Sequence, residues 1–553
     1  MRALFYAIFL LAVLVGSIVL LRSIEPPRET PLPRPTPIVH SGAPAPSEAG
    51  IGDATPEELH AIGAELLGLW HVREAAETFE QAAASDSTLR QTWLALVECY
   101  SHPLVAREDA ARAAIAHAAH GAFAPGESLF VAGVGNLFVD RDYGAAVGDF
   151  TAARRHEVDH PDAAYYLALA YFLSGRLADV DRALEELLSE DDTVGRVIEL
   201  AARSAAAAGD LETASARARD LARLYAGEPF PYVLLAQVEL LRGDPDAAHQ
   251  FCNNALLLDA RYLSALLAQA GLYAAAGRYE AAHVSFEKLL LFDDPVLRAI
   301  GYDGIAWVDF LTGEFDAGID AMDEAIRNAM LAGSVRAGLS YATRLVGYLC
   351  ELGQADAAEA VVERWVRGFG DVPERLGRLR IDILDGDVAV ARRVLLQVQT
   401  RKEWLVWARV MSIDTTELVA LTQIAAREHD KAAATLSEER GTAGVAAGVR
   451  ARRAFLSGYA LFESGAAETA EDAFAAAREH LFGLEFPYRA DPVLFQQAQF
   501  FLAESKLARG DEAGATADYD AFLAAWGETE WEIPAVDRAR DKRQSLSGAP
   551  ETR

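Results

Sequence analysis

One short motif in the sequence has the residue types and spacing of a metal-dependent hydrolase. His156, Glu157 and His160 spell HExxH, in which two histidines one helical turn apart bind zinc and the glutamate activates water. Two neighbouring residues argue against that chemistry. Asp159 places a charge inside the motif, and Pro161 disfavours the helical geometry at His160 that the spacing requires. We therefore interpret the motif as a junction between helices, with a zinc metallo-enzyme as the alternative.

No second catalytic pattern accompanies this motif. The sequence contains no GK dipeptide and hence no P-loop, no GxSxG nucleophile turn, and no CxxC pair among its three cysteines. We therefore predict that the protein is not an enzyme and that it uses no cofactor and no metal.

Charge excludes one class of partner. The 553 residues include 82 acidic and 51 basic side chains, which gives a net charge of −31. Nucleic acid attracts clustered lysine and arginine, so this surplus argues against a nucleic-acid partner. A hydrophobic fraction of 52% excludes disorder over most of the length.

The amino terminus predicts a membrane anchor. Residues 3–21 are apolar and uncharged, and as a helix they would match the thickness of the hydrocarbon core. We therefore predict a transmembrane anchor over residues 1–22 and a Pro-rich linker over residues 23–55. The predicted location is a single-pass membrane protein with a periplasmic or other extracytoplasmic body. A cytoplasmic body is the alternative, because basic residues flank both ends of the segment.

Behind the linker, glycine recurs with a fixed period. Four of these glycines are spaced 34 residues apart, and five more continue the series less regularly. In order they are Gly175, Gly209, Gly243, Gly277, Gly313, Gly353, Gly386, Gly465 and Gly510. Each lies in a short polar break, where glycine suits a turn between two helices that needs a positive φ.

Small and large residues alternate at fixed distances after these glycines. Five positions after each glycine the residue is small in nearly every case, and nine positions after it is mostly larger and apolar. The small set is Val180, Ala214, Ala248, Ala282, Gly318, Ala358, Ala391, Ala470 and Ala515. The larger set is Leu184, Ala218, Cys252, Phe286, Met322, Val362, Leu395, Phe474 and Tyr519. Positions four apart share one helical face, so this pattern predicts close packing between paired helices.

The repeated unit resembles the tetratricopeptide repeat, a helical hairpin of 34 residues. One unit carries the pattern as Leu266, Ala270, Tyr273, Gly277, Tyr279, Ala282, Phe286 and Leu289. The resemblance implies an all-α fold, a right-handed α-solenoid of about twelve hairpins over residues 56–530, preceded by the transmembrane helix. Residues 366–450 match the pattern poorly and are expected to be irregular. Residues 531–553 are expected to form a capping helix and tail.

The candidate binding residues follow from the repeat register. In such arrays the first helix of each hairpin lines the concave face, where three aromatic-rich triplets are expected. They are Tyr165, Leu169 and Phe172, then Asp303, Trp307 and Phe310, then Phe455, Tyr459 and Phe462. Apolar side chains on an inner face can grip a peptide, or alternatively they can fill the interior of the superhelix.

The sequence as a whole predicts a membrane-tethered scaffold or adaptor for protein–protein interactions, in a bacterial cell envelope. Its partner would be a protein or peptide, neutral or basic rather than acidic because of the charge of the chain. Besides the zinc enzyme, the alternative is a regulatory or sensor subunit of a signalling complex.

Overall fold

The computed structural model describes residues 54–121, 124–156, 163–190, 194–438, 447–479 and 491–547, which all belong to one unit. Regular structure within these ranges is helical throughout. The first helices in chain order are α1 (Pro56–Gly68), α2 (Val72–Ser85), α3 (Arg90–Ser101), α4 (Glu108–Ala118), α5 (Pro125–Val134), α6 (Tyr143–Arg155), α7 (Ala163–Leu173), α8 (Leu177–Glu190), α9 (Gly195–Ala207), α10 (Leu211–Leu224), α11 (Phe230–Leu241), α12 (Pro245–Leu258), α13 (Leu263–Ala275) and α14 (Tyr279–Leu290). They are followed by α15 (Pro295–Thr312), α16 (Phe315–Leu331), α17 (Val335–Glu351), α18 (Ala355–Val361), α19 (Asp371–Leu384), α20 (Val388–Thr400), α21 (Lys402–Val410), α22 (Thr415–Ala425), α23 (His429–Glu438), α24 (Ala447–Glu463), α25 (Ala467–Glu479), α26 (Pro492–Ala508), α27 (Glu512–Trp526) and α28 (Pro534–Leu546).

Consecutive helices pair into hairpins, and glycine makes many of the turns between them. All nine glycines of the repeat have a positive φ, from 69° at Gly277 to 86° at Gly465. A residue with a Cβ is strained in that conformation, so glycine is favoured there. The predicted turns between paired helices are confirmed.

Packing within the hairpins follows the predicted alternation of small and large residues. Every residue of both sets is buried. In several hairpins the first helix approaches its partner closely where it offers glycine to a phenylalanine. A Cβ on Gly458 would lie 2.9 Å from the ring of Phe474, and one on Gly133 would lie 2.6 Å from Phe150. The described chain is therefore all-helical and consistent with the predicted solenoid of hairpins, and its buried apolar residues form several clusters along the array.

The region that matches the repeat poorly contains both paired and single helices. Helix α18 continues into a π-helical turn, Val362–Val366, and a 3-10 turn, Arg367–Phe369. Helices α19 and α20 then form a hairpin, α21 stands alone, and α22 and α23 form the next hairpin. The single helix shifts the repeat register, which explains why the sequence pattern fails there.

First helices of successive hairpins pack on one another, as α11 does on α13, α17 on α19, and α24 on α26. They form the inner wall of the coil, and the second helices lie outside. The coil also returns on itself, because α26 packs against α15 and α17. There Gln496 Nε2 donates to the carbonyl of Leu311 at 2.9 Å, and Trp526 Nε1 donates to the carbonyl of Phe310 at 3.1 Å.

The amino-terminal hairpins make a second long-range contact with the middle of the chain. Arg336 Nη2 donates to the carbonyl of Val139 at 2.8 Å, and Arg409 pairs with Asp142 at 3.0 Å. These partners are 197 and 267 residues apart in sequence. The inner wall is therefore enclosed on several sides rather than open as a shallow groove.

The predicted single-pass membrane location is corrected by the structure. Among the helices of the described ranges, none is both long enough and apolar enough to cross a bilayer. The longest of them, α15, has 18 residues and carries Asp303 and Asp309, both buried against neighbouring helices. The predicted anchor at residues 3–21 and most of the predicted linker lie outside the described residues.

Candidate functional site

The HExxH motif falls at the end of a helix. Helix α6 ends at Arg155, and His156 is the exposed residue that caps it, with its backbone N–H on the carbonyl of Ala153. The zinc pattern needs both histidines on one helix, whereas His156 has already left α6. Glu157 and His160 lie outside the described residues. Within the described ranges, no three His, Cys, Asp or Glu side chains gather as a metal site.

The three predicted triplets all lie on first helices, namely α7, α15 and α24. The triplets differ in their surroundings. Residues of the first and third triplets border cavities, and two residues of the middle triplet are packed in the core.

Tyr165, Leu169 and Phe172 line a cavity of about 590 Å³, here called the N-terminal cavity. Trp70 and Tyr262 complete its aromatic wall from other hairpins. The first triplet thus lies where the amino-terminal hairpins curve around a common space. Tyr165 and Phe172 are each 7% exposed and Leu169 is half-buried, so only part of each side chain reaches that space.

Three buried polar atoms of the N-terminal cavity have no hydrogen-bond partner in the described part of the chain. They are Trp70 Nε1, Glu199 Oε2 and Gln237 Oε1, and all three residues line the cavity. The other carboxylate oxygen of Glu199 accepts from Arg203 Nε at 2.8 Å. Buried polar atoms are nearly always partnered, so one donor and two acceptors without partners indicate a place for a polar ligand group or water.

Charged side chains in the wall of the N-terminal cavity form specific pairs. Arg196 pairs with Glu98 and lies over the ring of Tyr165, with its guanidinium carbon 4.3 Å from the ring centroid. Burial raises the pKa of Tyr165 to about 12, so its hydroxyl stays protonated. Burial, and then the charge of Arg203, lowers the pKa of His102 to about 4, so this imidazole is neutral. The wall therefore presents fixed hydrogen-bonding groups over the physiological pH range.

Phe455 and Tyr459 of the third triplet line a second, mainly apolar cavity of about 490 Å³, here called the C-terminal cavity. Phe500 and Phe501 of α26 lie in the same wall. Phe462, the last residue of the triplet, packs edge-on against Phe501 at 5.8 Å between ring centroids and is not part of the wall. The third triplet is thus divided between a cavity and an aromatic cluster.

The middle triplet lies where the coil returns on itself. Trp307 is 3% exposed and Phe310 is fully buried, and both belong to the large apolar core. The ring of Phe310 lies 4.9 Å from that of Tyr348 between centroids. Asp303 pairs with Arg344. Two of these three residues thus fill the interior, which is the alternative that the sequence left open for the triplets.

A third cavity of about 270 Å³, here called the central cavity, contains charges that the sequence analysis missed. Glu417 is shared by Arg380 and Arg452, and Arg453 pairs with Asp414 at 2.9 Å. Burial alone would raise the pKa of Glu417, but the two arginines outweigh it and hold the pKa below its usual value. The one local signal was Glu417, a lone charge on the otherwise uncharged helix α22; Arg380 and Arg452 lie among other charged residues on α19 and α24, so their sequences do not mark them.

Comparisons with known proteins give fold neighbours only. No protein-family model matches the chain, and no curated protein matches it in sequence. Its structural neighbours are tetratricopeptide-repeat proteins, as the repeat pattern predicts.

Three solved structures illustrate the likeness. A chain of the APC/C hetero-tetramer Cut9–Hcn1 is 11% identical, with a TM-score of 0.36, covering 89% of this chain and 96% of that one. A tetratricopeptide repeat protein from Parabacteroides merdae is 15% identical, with a TM-score of 0.26, covering 58% and 98%. Yeast Tom70 is 11% identical, with a TM-score of 0.25, covering 89% and 96%. These superpositions are loose, so the fold assignment rests on the hairpins themselves.

Proposed function

We propose that this protein is a non-enzymatic scaffold that binds a segment of another protein in its N-terminal cavity. The observation that carries the proposal is the combination of an aromatic wall with three buried polar atoms that have no partner in the described chain. Aromatic anchors supply binding energy through buried apolar area, and the polar atoms supply orientation.

The chemistry of the wall defines the segment. An apolar or aromatic side chain fits between Tyr165, Leu169 and Phe172, which border the same space. A donor on the ligand, such as a backbone or side-chain N–H, satisfies Gln237 Oε1 or Glu199 Oε2, and a carbonyl satisfies Trp70 Nε1. The net charge of −31 favours a neutral or basic segment over an acidic one.

Selection from a random peptide library against the purified full-length chain tests this function. We expect enrichment of peptides with apolar or aromatic residues and few acidic ones, and we then measure their affinity by fluorescence anisotropy. Gln237→Met removes the unpartnered oxygen while keeping the shape of the side chain. Loss of a buried hydrogen bond of this kind costs about 1–3 kcal/mol, or roughly 5- to 100-fold in affinity.

Two further variants make the test specific. Gln91→Met changes an exposed glutamine on the first helix α3 and should leave affinity unchanged. Leu169→Trp adds bulk to the wall of the N-terminal cavity and should abolish binding. Equal affinity of the selected peptides for the wild type and for both cavity variants, with folding verified by circular dichroism, would place binding elsewhere and refute the proposal.

The other predicted binding residues stay predictions. Phe455 and Tyr459 border the C-terminal cavity and could contact a longer segment of the same partner. In Tyr459→Ala a half-buried ring is removed, so we expect weaker binding only of peptides long enough to reach both cavities.

A further inference from the structure

Two arginines at one end of the central cavity differ from the other charges that line it. Glu417 and Asp414 are each engaged by arginine, and Asp303 is paired with Arg344. Arg141 and Arg336 border the same cavity and form no ion pair within the described ranges. The described chain therefore places two arginines that form no ion pair in an enclosed space of a strongly acidic protein, where the single carboxylate of Glu108 acts on both charges.

Arg336 is held in place but only partly satisfied. Its side chain is largely inaccessible, with a residue exposure of 7%, and Nη2 donates to the carbonyl of Val139 at 2.8 Å. Its other terminal nitrogen, Nη1, is buried and has no partner among the described residues. Burial, and then the charge of Arg141, lowers the pKa of Arg336 to about 10, which still leaves it charged at neutral pH. An unpaired buried charge is costly, so this arrangement favours an anion beside it.

The charges of both arginines act on one acidic residue, Glu108, and its side chain also has an unfilled hydrogen-bonding position. One of its carboxylate oxygens accepts from Ser334 Oγ at 2.8 Å. The other, Oε2, is buried without a partner in the described chain, and Glu108 also lines the central cavity. Burial raises the pKa of Glu108, while the two arginines oppose that shift. Glu108 and Arg336 thus present an acceptor and a donor to one cavity without forming an ion pair with each other.

A phosphate group has the chemistry to pair with each of these side chains. Its anionic oxygens accept from guanidinium groups, for which the planar fork of arginine is well suited. A protonated phosphate oxygen can in addition donate to a carboxylate, which sulfate cannot do near neutral pH because it carries no proton. We propose that Arg141, Arg336 and Glu108 form a binding site for a phosphate group, either free phosphate or a small phosphate monoester within the central cavity.

Isothermal titration of the full-length chain with inorganic phosphate tests the proposal directly. We expect saturable binding of phosphate and weaker binding of sulfate at matched ionic strength. Titration with glycerol 3-phosphate separates the two sources: tighter binding of this ester indicates a small monoester, and tighter binding of inorganic phosphate indicates the free ion. No saturable binding of either probe to the folded wild type overturns the proposal, and equal binding of phosphate and sulfate overturns the role of Glu108.

Variants connect the binding to the named residues. Arg336→Gln should weaken phosphate binding by about tenfold or more, since one charge-assisted contact is lost. Arg141→Asn should weaken it similarly, and asparagine tolerates the positive φ of 52° at that position. Arg393→Gln, at an exposed position on α20, is the matched control and should bind as the wild type does. Unchanged phosphate affinity in both Arg336→Gln and Arg141→Asn overturns the proposal.

Thermal stability separates a binding role from a purely structural one. Phosphate should raise the melting temperature of the wild type and of Arg393→Gln, but not that of Arg336→Gln. Without phosphate, Arg336→Gln should change stability by little, because removal of a partly satisfied buried charge offsets loss of the hydrogen bond to Val139. A large loss of stability in phosphate-free buffer would mean that Arg336 serves the fold instead, and it would overturn the proposal. Arg141 also lines the N-terminal cavity, whereas Arg336 lines the central cavity alone, so Arg336→Gln is the variant that distinguishes a failure of phosphate binding from a failure of peptide binding.

Discussion

Trp526 joins parts of the chain that are far apart in sequence, and replacing it tests how the coil closes. Its side chain is fully buried, and its indole Nε1 donates to the carbonyl of Phe310, 216 residues away, at 3.1 Å. Its ring lies 5.2 Å from that of Phe315 and 5.5 Å from that of Phe522 between centroids. Trp526→Ala removes all of these contacts at once.

The expected loss of stability follows from that burial. A fully buried tryptophan replaced by alanine costs about 3–5 kcal/mol, because the apolar area is lost and a cavity remains. Trp526→Phe keeps most of the ring and removes the indole hydrogen bond, which is worth about 1 kcal/mol. Trp531→Ala is the control, since Trp531 contacts the same Phe315 ring at 5.2 Å but is only half-buried. It should cost less than Trp526→Ala.

Urea unfolding followed by circular dichroism measures the size of the loss, and hydrogen exchange with mass spectrometry locates it. In Trp526→Ala we expect faster exchange in both α15 and α26, with no change in α1–α4. Faster exchange confined to residues near position 526 would mean that the two parts of the coil do not stabilise each other. A loss below that of Trp531→Ala would likewise refute the reasoning.

Four further substitutions have expected outcomes that urea or thermal unfolding can check. Gly458→Ala should lower the free energy of unfolding by more than about 1 kcal/mol, because the new Cβ would lie 2.9 Å from a buried ring. Gly148→Ala, at an open helical position, should raise the free energy of unfolding by about 0.5–1 kcal/mol. Burial, and then a nearby carboxylate, raises the pKa of Asp309 to about 7, so its contribution to stability falls as pH rises from about 4 to 7. Asp309→Asn should be more stable than the wild type by up to about 4 kcal/mol at pH 8 and similar to it at pH 4. Glu417→Gln should lower the free energy of unfolding by about 3–5 kcal/mol, because two buried guanidinium groups lose their carboxylate partner. A loss below about 1 kcal/mol would mean that water screens the two guanidinium groups.

The hairpins could be predicted because their determinants are local. Glycine at a turn, a small residue five positions later and an apolar residue nine positions later act within one helical hairpin. Their backbone conformations and burial follow from sterics and helical periodicity alone. The same short-range pattern predicted that the three triplets lie on first helices, and Tyr165, Trp307 and Tyr459 do lie there.

The predicted single-pass membrane location was wrong for the described helices, none of which could cross a bilayer. The prediction rested on residues 3–21, which lie outside the described residues. Hydrophobic patterning identifies residues that avoid water, but it does not say what surrounds them. Trp307 and Phe310 illustrate the same limit, since an aromatic side chain on an inner helix can line a cavity or fill the core.

The sequence by itself determined that the body of this protein is an array of helical hairpins and which face of each helix is buried. Only the tertiary structure decided where the coil closes, which triplets border a cavity, and which charges meet. Arg336 reaches Val139 across 197 residues, and Trp526 reaches Phe310 across 216. Such contacts depend on small rotations between hairpins summed along the whole array, and no local pattern of residues encodes that sum.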